Sequence, residues 1–185
     1  MQTRLLLLDF DGTLVDTRQA NYRAYRDVLG EVRIRLDEKN YLRNYFGMRC
    51  GEFLRRMGLT DSYEIDRLRR RKIEIYSEHF NTVRLNEWLW NFAQEFRAKG
   101  GKVWIVSTGQ TVNIRNVMEH LKMEDCFDGV ITGADVKNSK PSPECFLKAM
   151  AAEGCTPAET LIFEDSIVGL EAAQSSGASY IKVEM

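Results

Sequence analysis

LLLLDFDGTLVDT, residues 5–17, sets four consecutive leucines directly ahead of two aspartates one residue apart. Four apolar residues closed off by polar and glycine positions fit a short strand buried on both faces. Asp9 and Asp11 then stand where such a strand ends. Further along, Val103 to Val106, Val130 to Ile131 and Leu161 to Phe163 repeat the pattern, and Tyr180 to Val183 reads as a fifth strand. Helical patterns lie between them. Leu89, Phe92, Ala93 and Phe96 share one face behind Asn86 as N-cap, with Gly100 as the stop. Ile114, Val117, Met118 and Leu121 line the next helix. A third opens on Ser142 and Pro143 and is expected to turn Phe146, Leu147 and Met150 inward before Gly154; a fourth runs from about Ser166 to Ser176 and stops at Gly177.

Strands alternating with helices of this length predict right-handed crossovers and a parallel sheet covered on both faces. The expected fold is α/β, a doubly wound, Rossmann-like parallel sheet of about five strands. From about Thr17 to Phe80 the alternation stops, and only helical signals appear. An all-helical cap, residues 17–82, is therefore expected as an insertion after the first strand, with residues 1–16 and 83–185 as the core. Within the insertion, Asp61 and Glu64 have the spacing of a capping box ahead of a long helix carrying Ile65, Leu68, Tyr76 and Phe80.

Composition narrows the function. With 26 Lys+Arg against 27 Asp+Glu, no overall field draws the chain to nucleic acid or anionic lipid. The basic run Arg67, Arg69, Arg70, Arg71 and Lys72 spreads over more than one helix face and reads as solvated surface. No apolar run approaches the ~20 residues of a membrane span. Four cysteines without CxxC spacing, and an N-terminus unlike an export signal, point to the cytoplasm. Trp88 and Trp90 read as packing residues, and His79 and His120 as structural ones. A monomer or weak homodimer is expected.

Ligands of open parallel sheets bind beyond the strands' carboxyl ends. The loops there carry Asp9-Phe10-Asp11, Ser107-Thr108-Gly109, Lys140-Pro141 and Glu164-Asp165-Ser166. Gathering Asp9, Asp11 and Asp165 to about 4 Å costs roughly 4 kcal/mol per pair at an effective dielectric of 20. A divalent cation offsets that cost, and hard oxygen donors without a nearby histidine favour Mg²⁺ over zinc. Lys140 and Ser107 add a point charge and a hydrogen-bond donor, so the rim suits a phosphoryl group. Thr108 and Gly109 are expected beside it. Arg49, in the loop Gly47 to Gly51, and Asn21 are expected to contact the rest of a substrate.

DFDGTLVDT at 9–17 resembles the first signature of the haloacid dehalogenase superfamily. Three others follow in order: Ser107 after VWIV, Lys140 in SKPSPECF, and FEDS ending at 166. The resemblance runs from Leu5 to Gly177 and lies nearest the branch of phosphoglycolate-type phosphatases and beta-phosphoglucomutases. It implies Asp9 as phosphoryl acceptor, Asp11 as general acid and then base, and Ser107 and Lys140 as phosphate clamps. It further implies Asp165 as ligand of Mg²⁺, shared with Asp9 and the backbone carbonyl at Asp11, with Glu164 in support. The insertion would be a mobile cap that excludes water. Beta-phosphoglucomutases carry a histidine where this chain has Asn21, which lowers a mutase reading.

The activity expected is a magnesium-dependent phosphatase that hydrolyses a small-molecule phosphomonoester through an aspartyl-phosphate. The alternative is a phosphomutase acting on a sugar phosphate. A receiver-like signalling domain fits less well, because receivers need no large insertion after the first strand.

Overall fold

The structure, a computed structural model, describes residues 2–185. The chain divides into two units, one holding everything up to Asp16 together with Arg84–Met185, the other Thr17–Val83.

The first unit is built on β1 (Leu5–Leu8), in which every residue is fully buried. At about 1.5–3 kcal/mol for each fully buried leucine, this strand anchors the sheet. The chain continues through the two-residue β2 (Val15–Asp16). In the helical unit, α1 (Arg18–Glu31), α2 (Glu38–Asn44), α3 (Cys50–Arg56) and α4 (Ser62–Ile75) precede a 3₁₀ segment, Tyr76–Thr82. The first unit then resumes with β3 (Arg84–Leu85), α5 (Glu87–Ala98), β4 (Lys102–Val106), α6 (Thr111–His120), β5 (Gly129–Ile131) and α7 (Glu144–Ala152). It ends with β6 (Thr160–Glu164), α8 (Ile167–Ser176) and β7 (Ser179–Lys182).

The five long strands are all parallel and ordered β5-β4-β1-β6-β7, the doubly wound sheet expected. β1 lies at the centre, so Asp9 leaves the sheet at its middle. One face buries Leu5, Leu7 and Ile162 against Phe146, Ala149 and Met150 of α7 and Ala172 and Ala173 of α8. β2 and β3 form a separate antiparallel ribbon that sequence patterning does not reveal, because two-residue strands have no period.

Three local expectations need correcting. Leu147 is exposed, and α7 buries Cys145, Phe146, Ala149 and Met150 instead, a helical stripe from which position 147 is turned away; the helix also begins one residue later than Ser142 and Pro143 implied. Asp61 caps α4 by accepting from Tyr63 N, but Glu64 binds the guanidinium of Arg67 and does not close a box. That helix stops at Ile75, so Tyr76 and Phe80 lie in the 3₁₀ segment, where their rings meet edge to face 4.9 Å apart.

The helical unit packs around aromatic rings, with Tyr25 and Tyr41 edge-on to Phe53 at 4.6 and 5.4 Å. Arg67 and Arg71 converge on Glu31 at 3.0 and 3.1 Å, a surface network as the basic run suggested. Lys72 departs from it. Spaced four residues from Leu68 and three from Ile75, it is buried, with its ammonium 3.5 Å from the centre of the Tyr76 ring and 2.9 Å from Asn21 Oδ1. Among the described residues no helix is long and apolar enough to cross a membrane.

Candidate active site

Asp9 follows the last buried leucine of β1, and its backbone N–H bonds Phe163 O of β6 at 2.9 Å, so the residue is held between two strand ends. Gly12, at φ 96°, turns the chain back in the left-handed region, and its N–H reaches Val15 O at 2.8 Å. The Asp9-to-Thr13 loop is thereby closed tightly over the end of the sheet.

Lys140 enters from the loop after β5. Its buried ammonium donates to Asp9 Oδ1 and Glu164 Oε2, each at 2.7 Å, and to Val106 O at 3.1 Å. One oxygen from each of Asp9, Glu164 and Asp165 lies within 4.8 Å of the others. Two carboxylates thus share one ammonium, and the third stands beside them. Burial raises the Asp9 pKa well above its ordinary range, the charge of Glu164 raises it further, and Lys140 only partly opposes them. Asp165 is pushed up to about 6, first by burial and then by Glu164. Burial alone would lower the Lys140 pKa, but the charges of Asp9 and Glu164 outweigh it and hold the ammonium protonated.

These acids fit a hard divalent cation: they are crowded, carry excess negative charge and are all oxygen donors. Within the cluster the oxygens are unequally engaged. Glu164 Oε1 accepts from Ser166 Oγ at 2.8 Å, Ser166 N at 3.0 Å and Asp165 N at 3.2 Å, while Oε2 takes Lys140. Asp165 Oδ1 accepts from the buried Thr13 hydroxyl at 2.9 Å. Asp9 and Asp165 each keep an oxygen without such a bond.

Asp11 stands apart from this trio and beside the loop after β4. A Cβ on Gly109 would lie 3.2 Å from both Asp11 Oδ2 and Ser107 Oγ, so these groups converge on the bare glycine backbone. Ser107 is buried, and its hydroxyl accepts from Gly109 N at 3.0 Å. Gly109 O in turn accepts from Gly133 N at 3.0 Å, while the backbone of Thr108 packs against Gly133. Lys140, Asp9, Glu164 and Asp165 meet directly, therefore, and Asp11, Ser107, Thr108 and Gly109 form the adjoining wall.

Asn21 and Arg49 belong to the helical unit. Asn21 Nδ2 donates to the Tyr76 hydroxyl at 3.0 Å and Thr17 Oγ1 at 3.1 Å, and its Oδ1 takes Lys72. Arg49 occupies the N-cap position of α3. Trp88 packs on Phe92 with ring planes 4° apart, as expected of a packing residue, but it is 62% exposed and not part of the buried core. Sequence reading assigned no role to Thr13 or Gly169. Thr13 sits inside the first acidic motif, but only the fold sets its hydroxyl against Asp165. A Cβ at Gly169 would overlap the Glu164 carboxylate, a contact five residues away along the chain and invisible before α8 is folded.

Comparison with known proteins gives this geometry a family. Over 191 residues the chain is 26% identical to the fructose-1-phosphate phosphatase YqaB of Escherichia coli (strain K12), covering 97% of this chain and 96% of that protein. It is 27% identical over 182 residues to a phosphorylated carbohydrates phosphatase of Thermotoga maritima, covering 95% and 82%. The fold superposes on CbbY from Rhodobacter sphaeroides in complex with phosphate with a TM-score of 0.89 at 21% identity, over 100% of this chain and 87% of that one. For beta-phosphoglucomutase from Clostridium difficile the TM-score is 0.85 at 23% identity, over 100% and 86%. The model of the haloacid dehalogenase-like hydrolase family matches residues 6–183, and with nearly its whole length so matched this chain belongs to that family of enzymes.

Proposed function

We propose that this protein is a Mg²⁺-dependent phosphatase that hydrolyses small phosphomonoesters, phosphorylated carbohydrates foremost, through a phosphoryl group carried on Asp9. The observation that carries the reading is the meeting of Asp9, Glu164 and Asp165 within 4.8 Å of one another, with the ammonium of Lys140 bonded to the first two. The curated relatives named for phosphorylated carbohydrates support the substrate class.

In this reading Lys140 holds Asp9 by one oxygen and leaves the other to attack phosphorus. As the new O–P bond forms, the bond from phosphorus to the ester oxygen breaks, and Asp11 gives that oxygen its proton. Water then attacks the phosphorus on Asp9 and passes a proton to Asp11, releasing inorganic phosphate and restoring Asp9 as a carboxylate and Asp11 as the protonated acid. Asp9, Asp165 and the carbonyl of Asp11 would hold Mg²⁺, with Glu164 as the support that fixes Lys140. When bound, the ion would supply positive charge to the phosphoryl oxygens, beside that of Lys140. Ser107 and the open backbone at Gly109, with Thr108, would seat the remaining oxygens. Asn21 and Arg49 remain proposals for recognising the rest of the ester, to be read in KM.

A screen of metabolite phosphates tests the proposal. Inorganic phosphate is expected with Mg²⁺, lost on chelation and restored on re-addition. Formation of an isomeric sugar phosphate without phosphate release would make the protein a mutase. Asp9→Asn should lower kcat at least about 10³-fold while the circular dichroism spectrum is retained; ready turnover by that variant would remove Asp9 as the nucleophile.

A further inference from the structure

Among the described residues β7 closes one side of the sheet, with β6 as its single neighbour, and all four of its residues are exposed. In a parallel ladder alternate residues turn their backbone groups toward the neighbouring strand. Val183 N–H bonds Glu164 O at 2.9 Å, so Val183 and Ile181 face β6. The backbone groups of Tyr180, Lys182 and Glu184 point the other way, along the open edge.

The side chains beside this edge are sorted. Ile181 pairs with Phe163 and therefore shares its face of the sheet, the face on which Trp88 and Phe92 lie 6.3 and 5.8 Å from the Phe163 ring. Ile181, Phe92 and Trp88 are 42%, 39% and 62% exposed, a run of apolar surface left open beside a strand edge. Lys182 and Glu184 project from the opposite face and bond each other at 2.6 Å, both exposed.

We propose that this edge is a docking surface for a second copy of the chain, which pairs antiparallel about a two-fold axis through Val183. Charge complementarity selects both the occupant and the register. A two-fold at Val183 sets Lys182 opposite the partner's Glu184 and Glu184 opposite the partner's Lys182, so the ion pair within each chain becomes two between chains. The same register sets Ile181 against the partner's Met185, apolar against apolar, beside Trp88 and Phe92. Shifting the axis by one residue puts Lys182 against itself, which like-charge repulsion disfavours. The outward backbone groups of Lys182 and Glu184 then close the hydrogen bonds of the new ladder. The contact is short, so the dimer is weak and its population rises with protein concentration.

Sedimentation velocity on the whole protein from about 10 µM to about 1 mM reads the association. The wild type is expected to shift from monomer to dimer across that range. Lys182→Glu and Glu184→Lys each set like charges opposite one another twice and should weaken the dimer at least about tenfold. Mixed in equal amounts, the two variants form a heterodimer with both ion pairs restored, which also shows that neither was misfolded. A wild type that stays monomeric throughout, single variants that associate like wild type, or a mixture that stays monomeric overturns the proposal. So does a Lys182→Ala variant that associates more tightly than wild type, since Lys182 would then be guarding the edge against pairing.

Discussion

Single side chains around Asp9 have divided tasks, and hydrogen bonding decides the division. Glu164 spends both oxygens on Lys140 and on the turn at Ser166, whereas Asp165 spends one on Thr13. If Asp165 is a ligand of Mg²⁺, as proposed, Thr13 would orient it by that hydrogen bond. Replacing Thr13 with valine keeps the shape and removes the hydroxyl, so the Mg²⁺ concentration for half-maximal activity should rise about tenfold or more, while Thr13→Ser stays near wild type. An unchanged Mg²⁺ requirement in Thr13→Val would mean that the Thr13–Asp165 bond does not orient the ligand. Lys72 shows why such details escape a linear reading. A lysine among arginines reads as surface, and only its helical phase with Leu68 and Ile75 hints that it faces inward.

Among the elements, α8 carries more than its apolar content implies. Ser166 caps it by accepting from Gly169 N at 3.0 Å and also donates to Glu164, so the helix start and the acidic pair are one structure. Gly169→Ala would ordinarily favour a helix by about 0.5–1 kcal/mol. Here the new methyl group meets the Glu164 carboxylate, and the sign should invert to a loss of about 1–3 kcal/mol in urea denaturation. A stabilised variant would show that Glu164 is free to move aside. The 3₁₀ turn ahead of β6 (Pro157–Glu159) supplies a second check. Glu159 closes a capping box with Thr156 and accepts from Arg4, and these bonds lower its pKa to about 2. A depressed carboxylate contributes stability that is present above its unfolded pKa near 4.5 and is lost as pH falls through about 2. Carboxyl NMR should find Glu159 still ionised at pH 3; a midpoint near 4.5 would mean the box is open in solution.

For the molecule as a whole, near-neutral charge conceals a division. Residues 17–83 hold 15 Lys+Arg against 10 Asp+Glu, and the rest of the chain holds 11 against 17. Composition rightly gives no net field, yet the α/β unit is acidic, and its acids are densest where Asp9, Glu164 and Asp165 meet. An ion that binds only the folded state stabilises it by mass action. The thermal midpoint should therefore climb with Mg²⁺ concentration, and the climb should vanish in Asp165→Asn. A midpoint indifferent to Mg²⁺ in the native chain would argue against the ion site, independently of any assay of turnover.

How much was legible in advance follows from the range of each interaction. Four leucines ahead of an acidic loop, repeated strand-and-helix alternation, and polar loops after each strand are local patterns, and they determined the parallel sheet and which loops share its rim. The sequence alone also identified Asn86 as a helix cap, because capping is settled within four residues. What only the tertiary structure decided is contact between distant segments: that Lys140 joins Asp9 and Glu164, that Thr13 binds Asp165, that Gly169 makes room for Glu164, and that Lys72 lies buried while Leu147 and Trp88 do not. Burial and hydrogen-bond partners depend on which surfaces face each other after folding, and periodicity in one dimension carries no record of that.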